Sequence, residues 1–300
     1  MHVLHALRDE YGEAGISLTA MNGISLLSLD KDLLEAMRQA GFLHLDLALG
    51  SAAPKKNRQL GRDEHSSTTT QVLKQASQSG FALTTYILLG VPGHTITDML
   101  DSIAYLAAQP TMIGPSIFYP SPGTLLYDEL DTDELRLPGN EILLRSSAFA
   151  VETHDFCRRD IVTLLRFVRW INFIKRHLLD RQRESCTLGE LRKEARAWWP
   201  DQIPHAAENQ PDGWFFNSDK ALSAPTAGRI ASAFLYEHDI FYAIRRVRNP
   251  NRDLYTYHVS PCATSKRVMD QINTMDAYAI TAARIKPVGH GSKEITHVYH

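Results

Sequence analysis

The sequence predicts an α/β fold with parallel strands, and three observations carry that reading. Between Ile16 and Thr124, strand-like apolar runs alternate with helix-like periodicity three times and then close on one more strand. Each helix-like stretch is long enough to carry the chain back across a sheet, a connection that only parallel strands require. Each strand-like run ends in a turn rich in glycine or proline. About four parallel strands with crossover helices make a partial, half TIM-type barrel. A mainly helical C-terminal region is expected to follow it.

The alternation is clearest over residues 81–124. Ala82 to Leu89 is apolar and β-branched and reads as a strand buried on both faces. Gly90-Val91-Pro92-Gly93 turns the chain. Thr95 and Asp98 stand three apart, as in a capping box. Ile96, Met99, Leu100, Ile103 and Leu106 then recur at helical spacing until Pro110. Ser116 to Tyr119 reads as the next short strand, closed by Pro120-Ser121-Pro122-Gly123-Thr124.

Upstream, Val3 to Tyr11 reads as a helix with Leu4 and Leu7 inward. Ile16 to Met21 follows as a strand turned by Asn22-Gly23. Asp30 suits the N-cap of a helix that buries Leu33, Leu34 and Met37 and ends at Gly41. Leu43 to Leu49 is the next strand, ending in Gly50-Ser51. Polar residues and Pro54 make Ala52 to His65 a loop. Ser66 or Ser67 then caps a helix that buries Val72, Leu73 and Ala76 and stops at Gly80. The pattern opens on a helix with no strand before it, which leaves the strand from Ile16 as a sheet edge. The chain therefore reads as the back part of a longer enzyme, through a gene break, a misplaced start or degeneration.

Three regions are expected: 1–130 as the partial barrel, 131–185 as linker and long helix, and 186–300 as a small helical region. Asp131 to Asn140 is acidic and turn-rich. Asp160 to Gln182 is amphipathic, with Ile161, Leu164, Leu165, Val168, Ile171, Lys175 and Leu178 on one stripe and Arg159, Arg166, Arg169 and Arg176 opposite. Trp198, Trp199, Trp214, Phe215 and Phe216 are expected to seat the last region, where Pro225 starts a helix. The tail from Pro287 to His300 is expected to be disordered.

Composition excludes several function classes. The apolar fraction is 44% and the formal net charge is −2, so neither a nucleic-acid nor a membrane-surface footprint shows. No apolar run is long enough to span a bilayer, and the cytoplasm is the default location. Cys157, Cys186 and Cys262 lie 29 and 76 residues apart, which fits neither a disulfide framework nor a local metal clip. There is no HExxH, and the Gly90–Gly93 turn lacks the lysine of a phosphate-binding loop. His154-Asp155 has no triad context, and the tail histidines read as solvated.

Strand ends of a parallel barrel reach one rim, where sites are built. Four features fall there: Asn22-Gly23, Gly50-Ser51, Gly90 to Gly93, and Tyr119 to Gly123. A family resemblance attaches to the same residues. LLGVPGHT, followed some thirty residues later by PSIFYPSPGT, resembles the later half of a radical S-adenosylmethionine (radical SAM) domain, nearest its B12-binding branch. The likeness runs from about Ile16 to Leu130 and more weakly to Leu179, where DIVTLLRFVRWINFIK resembles the helical extension of that branch.

The resemblance implies S-adenosylmethionine and a small-molecule substrate as ligands. It gives Asn22, Ser51, Arg62, Leu88, Gly90, Pro92, Tyr119 and Pro120 as cofactor-binding residues. Ser51 would bond the ribose or amino-acid part, and Arg62 the methionine carboxylate. Leu88 to Pro92 would wall the adenine, and Phe118 to Pro120 would bond its edge. Gly50 stands where the family usually has an acid. The family also implies a 4Fe-4S cluster and cobalamin, but the Cys-x3-Cys-x2-Cys loop and the cobalamin segment do not occur here. A missing N-terminal half is the partner this implies. The alternatives are a non-catalytic half-barrel binding or interaction module and an unrelated barrel enzyme.

Overall fold

The computed structural model describes residues 2–11, 18–59, 66–128, 145–149, 151–194, 214–218, 241–247 and 255–284. The chain forms two compact units, Met1–Ser185 with Ala279–Val288, and Cys186–Tyr278 with Gly289–His300.

The first unit is the expected half barrel. Strands β1 (Leu18–Ser25), β2 (Phe42–Gly50), β3 (Ala82–Leu89) and β4 (Met112–Ile117) lie in that order, all parallel. Helices α1 (His2–Tyr11), α2 (Lys31–Gln39), α3 (Pro54–Gln59), α4 (Ser66–Gln78) and α5 (Ile96–Ala107) alternate with them. The caps form where the residues foretell them. Asp30 accepts from Leu33 N at 2.8 Å. Thr95 and Asp98 complete a capping box. Gly41 and Gly80 leave their helices at positive φ.

One face of the sheet is dry. Leu45, Leu47, Leu49, Leu83, Thr85, Ile87, Leu89 and Ile113 are all nearly inaccessible. Beneath them α2, α4 and α5 turn in their own buried residues, among them Leu34, Leu73, Met99 and Ile103. The other face differs. Thr84 and Leu88 are half-buried and Tyr86 is 36% exposed, so β3 is not buried on both faces as expected. The crossover helices cover only the outer side of a half barrel, and the inner side keeps polar side chains.

Other boundaries move for local reasons. Asn22-Gly23 is not an end turn. It lies within β1 where pairing jumps from Ala20↔Leu45 to Ile24↔Leu47, a bulge that Gly23 accommodates at φ 74°. The segment expected as a loop from Ala52 holds α3, with Pro54 in its first turn and Lys56 and Asn57 N–H groups bonded to Ala53 O. β4 begins at Met112, earlier than Ser116, because Pro115 is tolerated in an edge strand. Its ladder reaches past the strand through Phe118 N to Leu89 O at 2.8 Å.

After the four-residue helix α6 (Leu125–Asp128), the next long element is α7 (Arg158–Asp180). It starts before Asp160, because Asp160 is the third helical residue and caps backward onto Cys157 N at 2.6 Å. Ile161, Leu164, Val168, Ile171 and Leu178 are buried, and so is Lys175 among them. α7 also finishes the open edge of β4. Asn172 Oδ1 accepts from Ile113 N at 2.9 Å, and Asn172 Nδ2 donates to Ile113 O at 2.7 Å. A side-chain amide thereby takes the place of a neighbouring strand.

The short strands β5 (Ser185–Thr187) and β9 (Ala279–Thr281) mark where the chain leaves and re-enters the first unit. The second unit, expected to be mainly helical, contains among its described residues an antiparallel sheet in the order β6 (Trp214–Ser218), β8 (Tyr255–Pro261), β7 (Tyr242–Val247). A helix α8 (Lys266–Ile272) follows. Trp214, Phe215 and Phe216 therefore sit on a strand, and Arg245 and Arg246 on another. Aromatic and β-branched residues favour that pleated state. The linker at 131–140, the helix from Pro225 and the tail lie outside the described residues.

Candidate functional site

The parallel order brings Gly50, Leu89 and Ile117 to one edge of the sheet, so Gly50-Ser51, Gly90–Gly93 and Tyr119–Gly123 belong to the same rim. They differ in openness. Ser51 is 1% exposed and its polar atoms are engaged. Its N–H donates to Asn57 Oδ1 at 2.8 Å, and its Oγ accepts from Ala53 N and lies 3.3 Å from Ser102 Oγ. Gly90 is buried at φ 80°, and a Cβ there would meet Ile161 Cδ1 at 3.4 Å and Phe156 Cε2 at 3.7 Å. By contrast, Gly93 and Gly123, also at positive φ, have nothing within 4 Å of where a Cβ would stand. Leu88 and Pro92 are half-buried, Pro120 is buried, and Tyr119 is 44% exposed. Asn22 lies on the β1 bulge, and Arg62 falls outside the described residues. The rim thus offers open backbone at two turns and is filled by the protein's own side chains at Gly90.

Beside the Gly93 turn, Lys56 Nζ donates to Gly93 O and stands 3.5 Å from Asp98 Oδ2. His94, next along, is 2% exposed and its Nε2 has no hydrogen-bond partner. Burial, with the charge of Lys56, pushes its pKa below the ordinary 6.5, against the opposing pull of Asp98. Burial raises Asp98, yet hydrogen bonds from Thr95 together with Lys56 and His94 outweigh it and hold the carboxyl low. A histidine whose folded pKa is depressed contributes stability that is present above pH 6.5 and lost as pH falls through the folded value. Urea unfolding should therefore show a lower midpoint near pH 5.5 than near pH 7.5, and His94→Asn should flatten that difference.

The inner face holds residues that the sequence reading missed. His44 and Asp46 on β2 point to the same side as Thr84 and Tyr86 on β3 and Gly114 on β4, because the register pairs Asp46 with Thr84, Ala48 with Tyr86 and Tyr86 with Gly114. His44 Nε2 lies 2.9 Å from Asp46 Oδ1 and 3.3 Å from Thr84 Oγ1. Burial, the charge of Asp46 and a hydrogen bond to it raise the Tyr86 phenol. Gly114 is required here, since a Cβ would fall 2.6 Å from the Tyr86 ring. The available signal was the period-two run His44, Asp46 followed by Thr84, Tyr86 inside otherwise apolar strands.

An iron–sulfur cluster does not fit the described residues. Among the described residues no three metal-capable side chains gather. Cys157 caps α7 and Cys186 is buried, and both are free thiols, as is Cys262. No helix of the described residues is long and apolar enough to cross a membrane.

No family model matches the sequence, and no curated protein matches it. Several solved structures are similar in part. Coproporphyrinogen III oxidase (HemN) from Escherichia coli, described as a radical SAM enzyme, is 16% identical over 47% of this chain and 33% of that chain, with a TM-score of 0.38. The radical S-adenosylmethionine methyltransferase TsrM from Kitasatospora setae, solved with cobalamin and a 4Fe-4S cluster bound, is 13% identical over 42% of this chain and 26% of that one, with a TM-score of 0.36. Methylornithine synthase (PylB) is 16% identical over 57% of this chain and 43% of that one, with a TM-score of 0.40. The chain thus spans between 26% and 43% of the length of these three.

Proposed function

We propose that the half barrel binds S-adenosylmethionine and a small-molecule substrate along its rim and inner face, as the ligand-holding portion of a radical SAM-type enzyme. The observation that carries this is the shared edge: the turns with the family-like motifs lie side by side above a polar inner face. Leu88 and Pro92 would wall the adenine, Tyr119 and Pro120 would border it, and the open backbone at Gly93 and Gly123 would meet its polar atoms. Arg62 would serve the methionine carboxylate. When bound, the cofactor would supply an adenosyl group for radical chemistry. Cluster ligands, and cobalamin where it is used, would come from a partner segment.

Isothermal calorimetry of the full chain with S-adenosylmethionine tests the reading. Binding with Kd below about 1 mM is expected, equivalent to at least ~4 kcal/mol. Gly93→Val should weaken it, by filling the open turn. Heat no different from dilution would overturn the reading. One feature favours the second possibility, a non-catalytic binding or interaction module: Ser51 and Gly90 are already packed by Ser102, Phe156 and Ile161.

A further inference from the structure

The inner-face cluster has a chemistry of its own, apart from any adenosyl cofactor. The Asp46 side chain keeps 11% of its exposure and that of His44 only 5%. Asp46 Oδ1 lies 2.9 Å from His44 Nε2, within hydrogen-bond distance. His44 Nδ1 is buried with no hydrogen-bond partner. Asp46 is bonded to that ring and to the Tyr86 hydroxyl. Among the described residues no lysine or arginine forms an ion pair with it. A buried carboxylate without a cation is costly, and a ligand that supplies one relieves the cost. Directly beside it stands Tyr86, 36% exposed, its ring seated against the β4 backbone at Gly114. An aromatic ring next to a carboxylate is the pairing that recognises ammonium groups.

We infer that the inner face of the half barrel binds a small ligand through a cationic nitrogen, with Asp46 as its counter-charge and Tyr86 as its aromatic wall. His44 positions Asp46 from below and does not touch the ligand.

The test uses the full chain and three probes of one size and different charge: n-butylammonium, n-butanol and n-butyrate. Ligand-observed saturation-transfer NMR should show n-butylammonium bound about tenfold more tightly than n-butanol, and n-butyrate not at all. Asp46→Asn should remove the preference for ammonium over the alcohol. Tyr86→Leu, at a half-open position, should weaken ammonium binding about fivefold while the unfolding midpoint holds. Equal binding of the ammonium and the alcohol to the wild type would overturn the inference, whatever the variants do. So would a preference that survives in folded Asp46→Asn. Neither arm contains S-adenosylmethionine, so its result stands apart from the calorimetry above.

Discussion

Replacing Lys175 by methionine is expected to cost the first unit about 2–4 kcal/mol of stability. Lys175 is fully buried on α7. Its Nζ donates to Ala107 O at 2.6 Å, Gln109 O at 2.7 Å and Thr281 O at 3.0 Å. An ammonium has three hydrogens, and each of these carbonyls can take one. Two of the carbonyls are at the C-terminal end of α5, where a positive charge meets the negative end of the helix dipole. Methionine keeps most of the stem's volume, so the substitution removes the ammonium and little packing. It takes a donor from two buried carbonyls and one part-buried one, of which Gln109 O keeps the Thr111 N–H at 2.8 Å. Urea unfolding followed by tryptophan fluorescence reads the loss, since Trp170 is buried on the same helix. An unchanged midpoint would show that the three bonds contribute nothing net.

The second large effect is expected at Asn172. Asn172→Leu removes both bonds to Ile113 at once and leaves an N–H and a C=O of β4 without partners, a cost of about 2–4 kcal/mol. The N–H and C=O lie on the side of β4 away from β3, so the loss reopens a sheet edge. The variant should therefore also self-associate, which size-exclusion chromatography at increasing concentration would reveal. Asn172→Asp separates the two bonds, because it keeps the acceptor for Ile113 N and loses the donor to Ile113 O. It should fall between wild type and the leucine variant in urea. A leucine variant as stable as the wild type and eluting at the same volume would refute the account.

Much of the half barrel is legible in the sequence because its signals are local. The Thr95–Asp98 box, the Asp30 cap and the glycines at 41 and 80 act over one helical turn, and all are found as read. The rim follows from the parallel order, which the alternation of elements implies. What was not legible depends on distant partners. Whether β3 is covered on one face or two is decided by what lies across the sheet, so the alternation of Thr84 and Tyr86 alone does not settle it. His44 and Asp46 become a pair only when β2 is extended. Ser51 lost its openness to Ser102, fifty-one residues away in the chain. The aromatic run at 214–216 fits either a helix or a strand by composition, and its antiparallel partner at 255–261 decides the matter.

The stretch at 279–284 has a consequence for how the molecule is made. Thr281 gives its carbonyl to Lys175 and its hydroxyl to Ala108 O at 3.0 Å, while Ala282 N bonds Glu184 O at 2.8 Å. A nascent chain that has cleared the ribosome only as far as Ser185 therefore lacks one acceptor for its buried lysine. At ordinary elongation rates the roughly 100 intervening residues take about 5–20 s to synthesise. Throughout that interval the emerging barrel waits unlatched, so its final stability is reached only late in translation, and a stop codon placed between the two units would yield a weakened product rather than an autonomous one.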